Sequence, residues 1–308
     1  MHHSFQVTVR PGHTDDFLAG LDEIDEVISV AVQRGASHKP IGDLVWVHTL
    51  NRGADRVLEL VELARAHGGV SASSSVVDSV IDPAQARDVA ADIDETIWED
   101  AETQLRHHSQ LTSNFLLTMA MGGAIASCAL LLTTTTQATA MVAAAVIAPG
   151  FEPLAKLPLA IVLGRWQLFR RGLRSALAGY VVLAAAAAAT MLALSAGGWE
   201  LPQKLVENHA FSEIADPTSL TLVISAAGAV AGAVMIAAQR VALLPGPLIA
   251  MQLIPAAAMS GASLAVGKTH AALEALARLG IDVALVVGAG ILIFGYKQAR
   301  VHRRAPVV

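Results

Sequence analysis

The chain has 308 residues, 54% of them hydrophobic and only 15% charged, with a mean hydropathy of +0.54. Soluble domains carry about 25% charged residues, so an ordinary soluble enzyme is a poor fit. Nineteen acidic and eight basic residues lie up to Gln110, against seven and thirteen beyond it, which predicts an acidic globular domain followed by a basic-flanked membrane domain.

In the front domain Phe5–Arg10 alternates as a strand and stops at Pro11-Gly12. Thr14 is positioned to cap a helix carrying Phe17, Leu18, Leu21 and Ile24. Val27–Val32 and Asp43–Leu50 read as strands separated by a Gly/Ser/Pro loop. Arg52–His67 has a helical apolar face ending at Gly68-Gly69, and Ser71–Ile81 reads as the last strand. The order β-α-β-β-α-β predicts a small α+β, ferredoxin-like cytosolic domain over residues 1–83. Its histidines, His13, His38, His48 and His67, are scattered singly along the chain. Residues 84–110 form a charged helical connector with Ile93, Ile97 and Leu105 as an apolar stripe. The acidic balance argues against nucleic-acid binding. The one cysteine, Cys128, has no partner for a disulfide or zinc site, and no metal or other cofactor is expected.

Six apolar segments follow: Phe115–Thr133, Ala138–Leu163, Leu177–Leu194, Leu220–Ala238, Val241–Val266 and Ala271–Phe294. Each approaches the ~20 residues that cross a bilayer, so residues 111–296 are predicted to be a six-span α-helical integral membrane domain. Arg165, Arg170, Arg171 and Arg174 follow the second segment, Arg240 the fourth, and Lys297, Arg300, Arg303 and Arg304 lie in a basic tail over 297–308. Only Lys204, Lys268 and Arg278 fall on the opposite side. The positive-inside rule then puts both termini in the cytoplasm, in a cytoplasmic (inner) membrane. The four arginines after segment two read as topology determinants and contacts for anionic lipid.

Segments two and five share an interruption. Segment two holds Pro149, Pro153 and Pro158, and segment five holds Pro245, Pro247 and Pro255. Interior prolines free backbone carbonyls that lipid cannot satisfy. With three spans per half, the halves must run in opposite directions, so an inverted 3+3 repeat is expected. Paired interruptions at matching positions of such halves point to a substrate site. A pathway for a small solute or ion is therefore expected at Pro149, Gly150, Glu152, Pro153, Lys156, Gln252 and Pro255. Glu152 and Lys156, four apart, would stack as an ion pair. Asp282 has no evident partner and is expected near the membrane surface. Gly228 and Gly232 form Gly-x-x-x-Gly, a close-packing face within or between subunits.

The Ile-Ala-Pro-Gly-Phe-Glu-Pro run ending in Leu-Gly-Arg-Trp, with the Leu-Ile-Pro run ending in Val-Gly-Lys, resembles the membrane proteins grouped as domain-of-unknown-function family 389 (DUF389), over residues 115–294. The resemblance implies the membrane architecture and often a small soluble N-terminal domain, but no activity. No phosphate loop, nucleophile triad, haem ligand or HExxH motif is present, so an enzyme is not expected. The leading expectation is a transporter or channel-like protein with a regulatory front domain. The alternative is a membrane-anchored sensor or assembly scaffold in which the N-terminal domain binds the ligand. The bilayer is the expected partner, with a small-molecule or ion substrate and a homo-oligomeric state.

Overall fold

Alternating apolar residues bury one face of the N-terminal sheet and helical spacing supplies its cover. The computed structural model describes residues 2–77, 80–132, 134–199, 214, 217–238, 251–304 and 306. Strands β1 (His2–Val9), β2 (Val27–His38), β3 (Ile41–Thr49) and β4 (Ser71–Val77) form an antiparallel sheet in the order β2-β3-β1-β4. Phe5 faces Val47 and Val7 faces Val45. These residues are fully buried under Phe17 and Leu21 of α1 (Thr14–Asp22) and Val57 and Val61 of α2 (Ala54–Arg65). The β-α-β-β-α-β order is the predicted one.

Three local features differ from the sequence reading. The Gly/Ser/Pro loop after Val32 continues as strand, because β3 supplies ladder partners as far as His38 through two register shifts. Thr14 is not the cap of α1: His13 occupies that position, and the Thr14 hydroxyl donates to Asp43 Oδ2 at 2.7 Å. That bond, more than the one from the Gly35 N–H, holds the Asp43 carboxyl below its usual range. The connector is not one helix but two, α3 (Ala86–Ala90) and α4 (Trp98–His108). Ile97 between them joins the sheet's core, and Ile93 is exposed.

The chain divides into two compact units, and the division falls inside α4 between Ala101 and Glu102. The first unit also takes in the end of the chain. His302 Nδ1 lies 2.8 Å from Asp55 Oδ2, Arg304 Nε donates to Asp55 Oδ1 at 2.6 Å, and both Arg304 terminal nitrogens reach Glu99 at 2.7 and 2.8 Å. The His302 ring lies against Trp98. Burial by itself would raise the Asp55 carboxyl. The hydrogen bond from His302 and the charge of Arg304 outweigh it and leave the group below the usual carboxylate range.

The second unit is helical: α5 (Ser113–Ala129), α6 (Thr134–Ile147), α7 (Phe151–Val162), α8 (Trp166–Ala196), α9 (Ser219–Ala237), α10 (Leu253–Ala265) and α11 (Thr269–Lys297). Among the described residues, three helices are long and apolar enough to cross a membrane: α8, α9, and α11 with its continuation to His302. The count rises to five if the bent pairs α4–α5 and α6–α7 each make one span. The predicted first span is thus a 17-residue helix that reaches spanning length only with α4. The second is bent by 50° at its proline. Of the fifth, residues 241–250, including Pro245 and Pro247, lie outside the described residues. Arg170, Arg171 and Arg174 do not sit in a loop: they occupy the first turns of α8, whose N-cap is Arg165.

Burial separates the helices into two kinds. Only 28%, 39% and 22% of the most apolar windows of α8, α9 and α11 are buried, as expected for helices whose outer faces meet lipid. Every residue of Phe151–Ala160 in α7 and of Leu253–Ser263 in α10 is buried. The short helices form the interior: α7 packs on α8 and α11, and α10 on α8, α11 and α5. Pro153 and Pro255 are each the third residue of their helix. Proline costs little there, because the first-turn N–H groups have no intrahelical acceptor. These two prolines start the interior helices rather than break them.

Both short helices end in the same turn. Gly164 (φ +67°) and Gly267 (φ +74°) take the left-handed conformation that glycine tolerates. The Arg165 N–H reaches the Ala160 carbonyl and the Lys268 N–H reaches that of Ser263, each at 2.8 Å. The long helices α8 and α11 then begin. Their close approaches are crossed: Pro158 of α7 lies on Gly290 of α11, and Gly261 of α10 lies on Ala184 of α8. A methyl on Gly261 would drive into the Ala184 carbonyl oxygen, which cannot move without shifting the helix. Gly261→Ala is expected to cost about 3 kcal/mol by overpacking, read as a lowered Tm in detergent; an unchanged Tm would contradict this packing.

Candidate functional site

The interior helices begin against each other. A Cβ on Gly150, the N-cap of α7, would stand 2.8 Å from Ile254 Cδ1 in the first turn of α10 and 2.9 Å from Tyr180 Oη on α8. The Tyr180 hydroxyl donates to the Gly150 carbonyl at 3.2 Å. Each helix N-terminus carries unpaired N–H groups and partial positive charge, and each has a carboxylate beside it. Glu152 is 8% exposed. Its carboxylate turns back on the N–H groups of Phe151 and its own residue, while Oε2 has no partner among the described residues. Asp282 of α11 is fully buried and accepts from the Gln252 N–H, at the N-cap of α10, at 3.0 Å.

Asp282 was expected near the surface without a partner, and Arg278 on an outer loop. Both sit inside the bundle. Arg278 Nη2 lies 3.3 Å from Asp282 Oδ1 one turn away and donates to Ser225 Oγ of α9 at 2.6 Å. Arg278 Nε and Nη1 are buried without partners among the described residues. The i,i+4 spacing of Arg278 and Asp282 was visible in the sequence. A hydropathy average counts the two only as interruptions of a span and is blind to their pairing. Tyr180 and Ser225 carried no signal at all, because single hydroxyls in apolar helices are common.

The expected Glu152–Lys156 ion pair is absent among the described residues. Glu152 lies in the first turn of α7 near Tyr180. Lys156, one turn on, is seated against Gly172 of α8, and Glu102, Arg106 and Arg171 are the charges acting on it. A four-residue spacing aligns two side chains only if neither finds a nearer partner, and here Glu152 turns back on the first N–H groups of α7 while Lys156 lies against Gly172 with Glu102 as its nearby anion. Of the predicted pathway residues, Gly150, Glu152, Gln252 and Pro255 come together with Pro149 and Pro153 at the facing helix starts; Lys156 does not join them.

Gly232 of α9 lies against the Phe151 ring of α7, leaving no room for a side chain, and Gly228 is buried one turn away. That half of the small-residue motif packs within the chain. Arg170, Arg171 and Arg174 are exposed, and Arg165 is half-buried. In the front unit, two histidines far apart in sequence meet: the His13 and His67 rings stack with centroids 4.6 Å apart.

Residues 145–287 match the model of the family described as "Domain of unknown function (DUF389)". The resemblance read from the two proline-containing runs holds over that stretch, which contains α7, α8, α9 and α10 and most of α11. Neither the curated proteins nor the solved structures contain a match to the chain.

Proposed function

Proceeding from this DUF389 match, we propose that the chain is an integral membrane transporter or channel-like protein for a small solute or ion, with its pathway at the facing N-termini of α7 and α10. One observation carries the reading: two short helices, buried over Phe151–Ala160 and Leu253–Ser263, start against each other with a buried carboxylate at each start. Helix ends that meet inside a bundle are the membrane form of an ion or substrate site. An interior carboxylate is costly unless a proton, a cation or a donor meets it. We assign Glu152, whose Oε2 has no partner among the described residues, as the group that binds and releases the coupling proton or cation. Asp282, engaged by Arg278 and the Gln252 N–H, holds the opposite helix start.

The finer architecture in this reading is six spans in an inverted 3+3 repeat, with both termini in the cytoplasm of an inner-membrane protein and a homo-oligomeric state. Three features support the repeat. The turns at Gly164 and Gly267 are the same, Pro153 and Pro255 stand at the same helix position, and α7 and α10 each touch the long helix of the other half. The front unit is then a regulatory domain, and no enzymatic reaction is assigned.

The test uses the full chain in proteoliposomes under an imposed membrane potential, reading proton entry with an internal pH dye and sodium entry with tracer. Protein-dependent entry of one of the two is expected, reduced about tenfold or more by Glu152→Gln. Lack of any protein-dependent flux, extended to a panel of small metabolites, would sink the reading. The sensor alternative draws on the separate compactness of the first unit.

A further inference from the structure

We propose that Lys156, Arg106, Arg165 and Arg171 form a binding site for a phosphate group at the end of the second unit where α4 approaches the α7–α8 turn. The Glu102 carboxylate on α4 lies 2.6 Å from Arg165 Nη1 and 3.6 Å from Arg106 Nη2. Among the described residues it is the one acidic group acting on the Lys156 ammonium, beside Arg106 and Arg171. Glu102 thus stands among several cations, bonded to Arg165 and within ion-pair reach of Arg106, with Lys156 and Arg171 close by.

Two of those cations are incompletely satisfied. Lys156 is 2% exposed and has no hydrogen-bond or ion-pair partner among the described residues. Arg106 Nε is buried without a partner. A buried guanidinium N–H left without an acceptor is costly, and the Lys156 stem is buried with its ammonium at the same place. The absence of a side chain at Gly172 lets Lys156 seat there: a Cβ on that glycine would stand 2.9 Å from Lys156 Cβ. The position is built into the packing and is not a stray surface lysine.

The missing partner is an anion with several acceptor oxygens. A carboxylate offers two and one charge. A phosphate offers more oxygens, matches the guanidinium fork and carries up to two charges, which fits an ammonium and guanidinium groups around one space. Arg106 and Arg171 are partly or fully exposed, so the site opens outward rather than into the bundle. A phospholipid headgroup shares with free phosphate a tetrahedral anionic centre that matches the guanidinium fork, with two non-bridging oxygens and one charge where free phosphate has four oxygens and up to two charges. The inference is independent of Glu152 and of transport.

The experiment uses the delipidated full chain in detergent with two probes, each compared across wild type, Lys156→Met and Arg106→Gln. In the first, retention of phosphatidylglycerol against phosphatidylcholine is counted by native mass spectrometry. In the second, inorganic phosphate is titrated against chloride at matched ionic strength and the Tm is followed. A headgroup site predicts selective phosphatidylglycerol retention that falls roughly tenfold in both variants. A free-phosphate site predicts a phosphate-dependent rise in Tm that both variants lose, without lipid selectivity. Responses equal across wild type and both variants in both arms overturn the proposal. If Lys156→Met does not fold, Arg106→Gln at its partly exposed position decides the matter.

Discussion

Replacing Arg304 with alanine is expected to loosen the first unit by about 3–5 kcal/mol, the scale for removing one partner of a buried ion pair. The side chain is 6% exposed, forks onto Glu99 and shares Asp55 with His302. Its loss removes the guanidinium that bridges the Glu99 and Asp55 carboxylates in the first unit. Hydrogen exchange in the full chain should show α2 and α4 opening faster, while α8 and α11 remain unchanged. Arg304→Lys keeps the charge but not the fork and should fall between wild type and alanine. Exchange in α2 and α4 that matches wild type in the alanine variant would mean that the tail only rests on the domain. The Asp55 part of this stability has a defined pH window. Its folded pKa lies below the ordinary value, so its contribution is complete above about pH 4 and is lost as pH falls through the folded pKa.

Asp282→Ala should be at least as damaging to the second unit, again by about 3–5 kcal/mol. It leaves the Arg278 guanidinium buried with Ser225 alone and removes the acceptor of the Gln252 N–H that starts α10. The double variant Arg278→Leu, Asp282→Leu should regain much of the loss, because an apolar pair carries no uncompensated charge. Thermal unfolding in detergent across the two singles and the double measures this. Single and double losses that simply add would show that the two residues do not act as a pair.

The front sheet was readable because one-sided burial imposes a period of two, and Phe5, Val7, Val45 and Val47 carry it plainly. The second half of β2 was not, since Gln33–His38 is polar and is held as strand by hydrogen bonds to β3. The proline pattern read as broken spans, and the structure gives Pro153 and Pro255 a different meaning: each sits where a helix begins. Glu152 and Lys156 show the limit of spacing as a guide, for four residues on a helix bring two groups into reach without making either choose the other. The contact of His302 and Arg304 with Asp55 spans almost the whole chain, and no local pattern encodes it.

Composition and hydropathy by themselves determined that this is an acidic α+β domain joined to apolar, basic-flanked helices, because burial periodicity and the cost of charge in lipid act residue by residue along the chain. Tertiary structure alone decided which buried charges are satisfied. Arg278 found Asp282, Glu152 Oε2 was left without a partner among the described residues at a helix start, Lys156 came to lie near Glu102 rather than Glu152, and the tail was drawn into the front domain. A charge removed from water takes the best partner within a few ångströms, and what lies within a few ångströms is settled by how the helices pack.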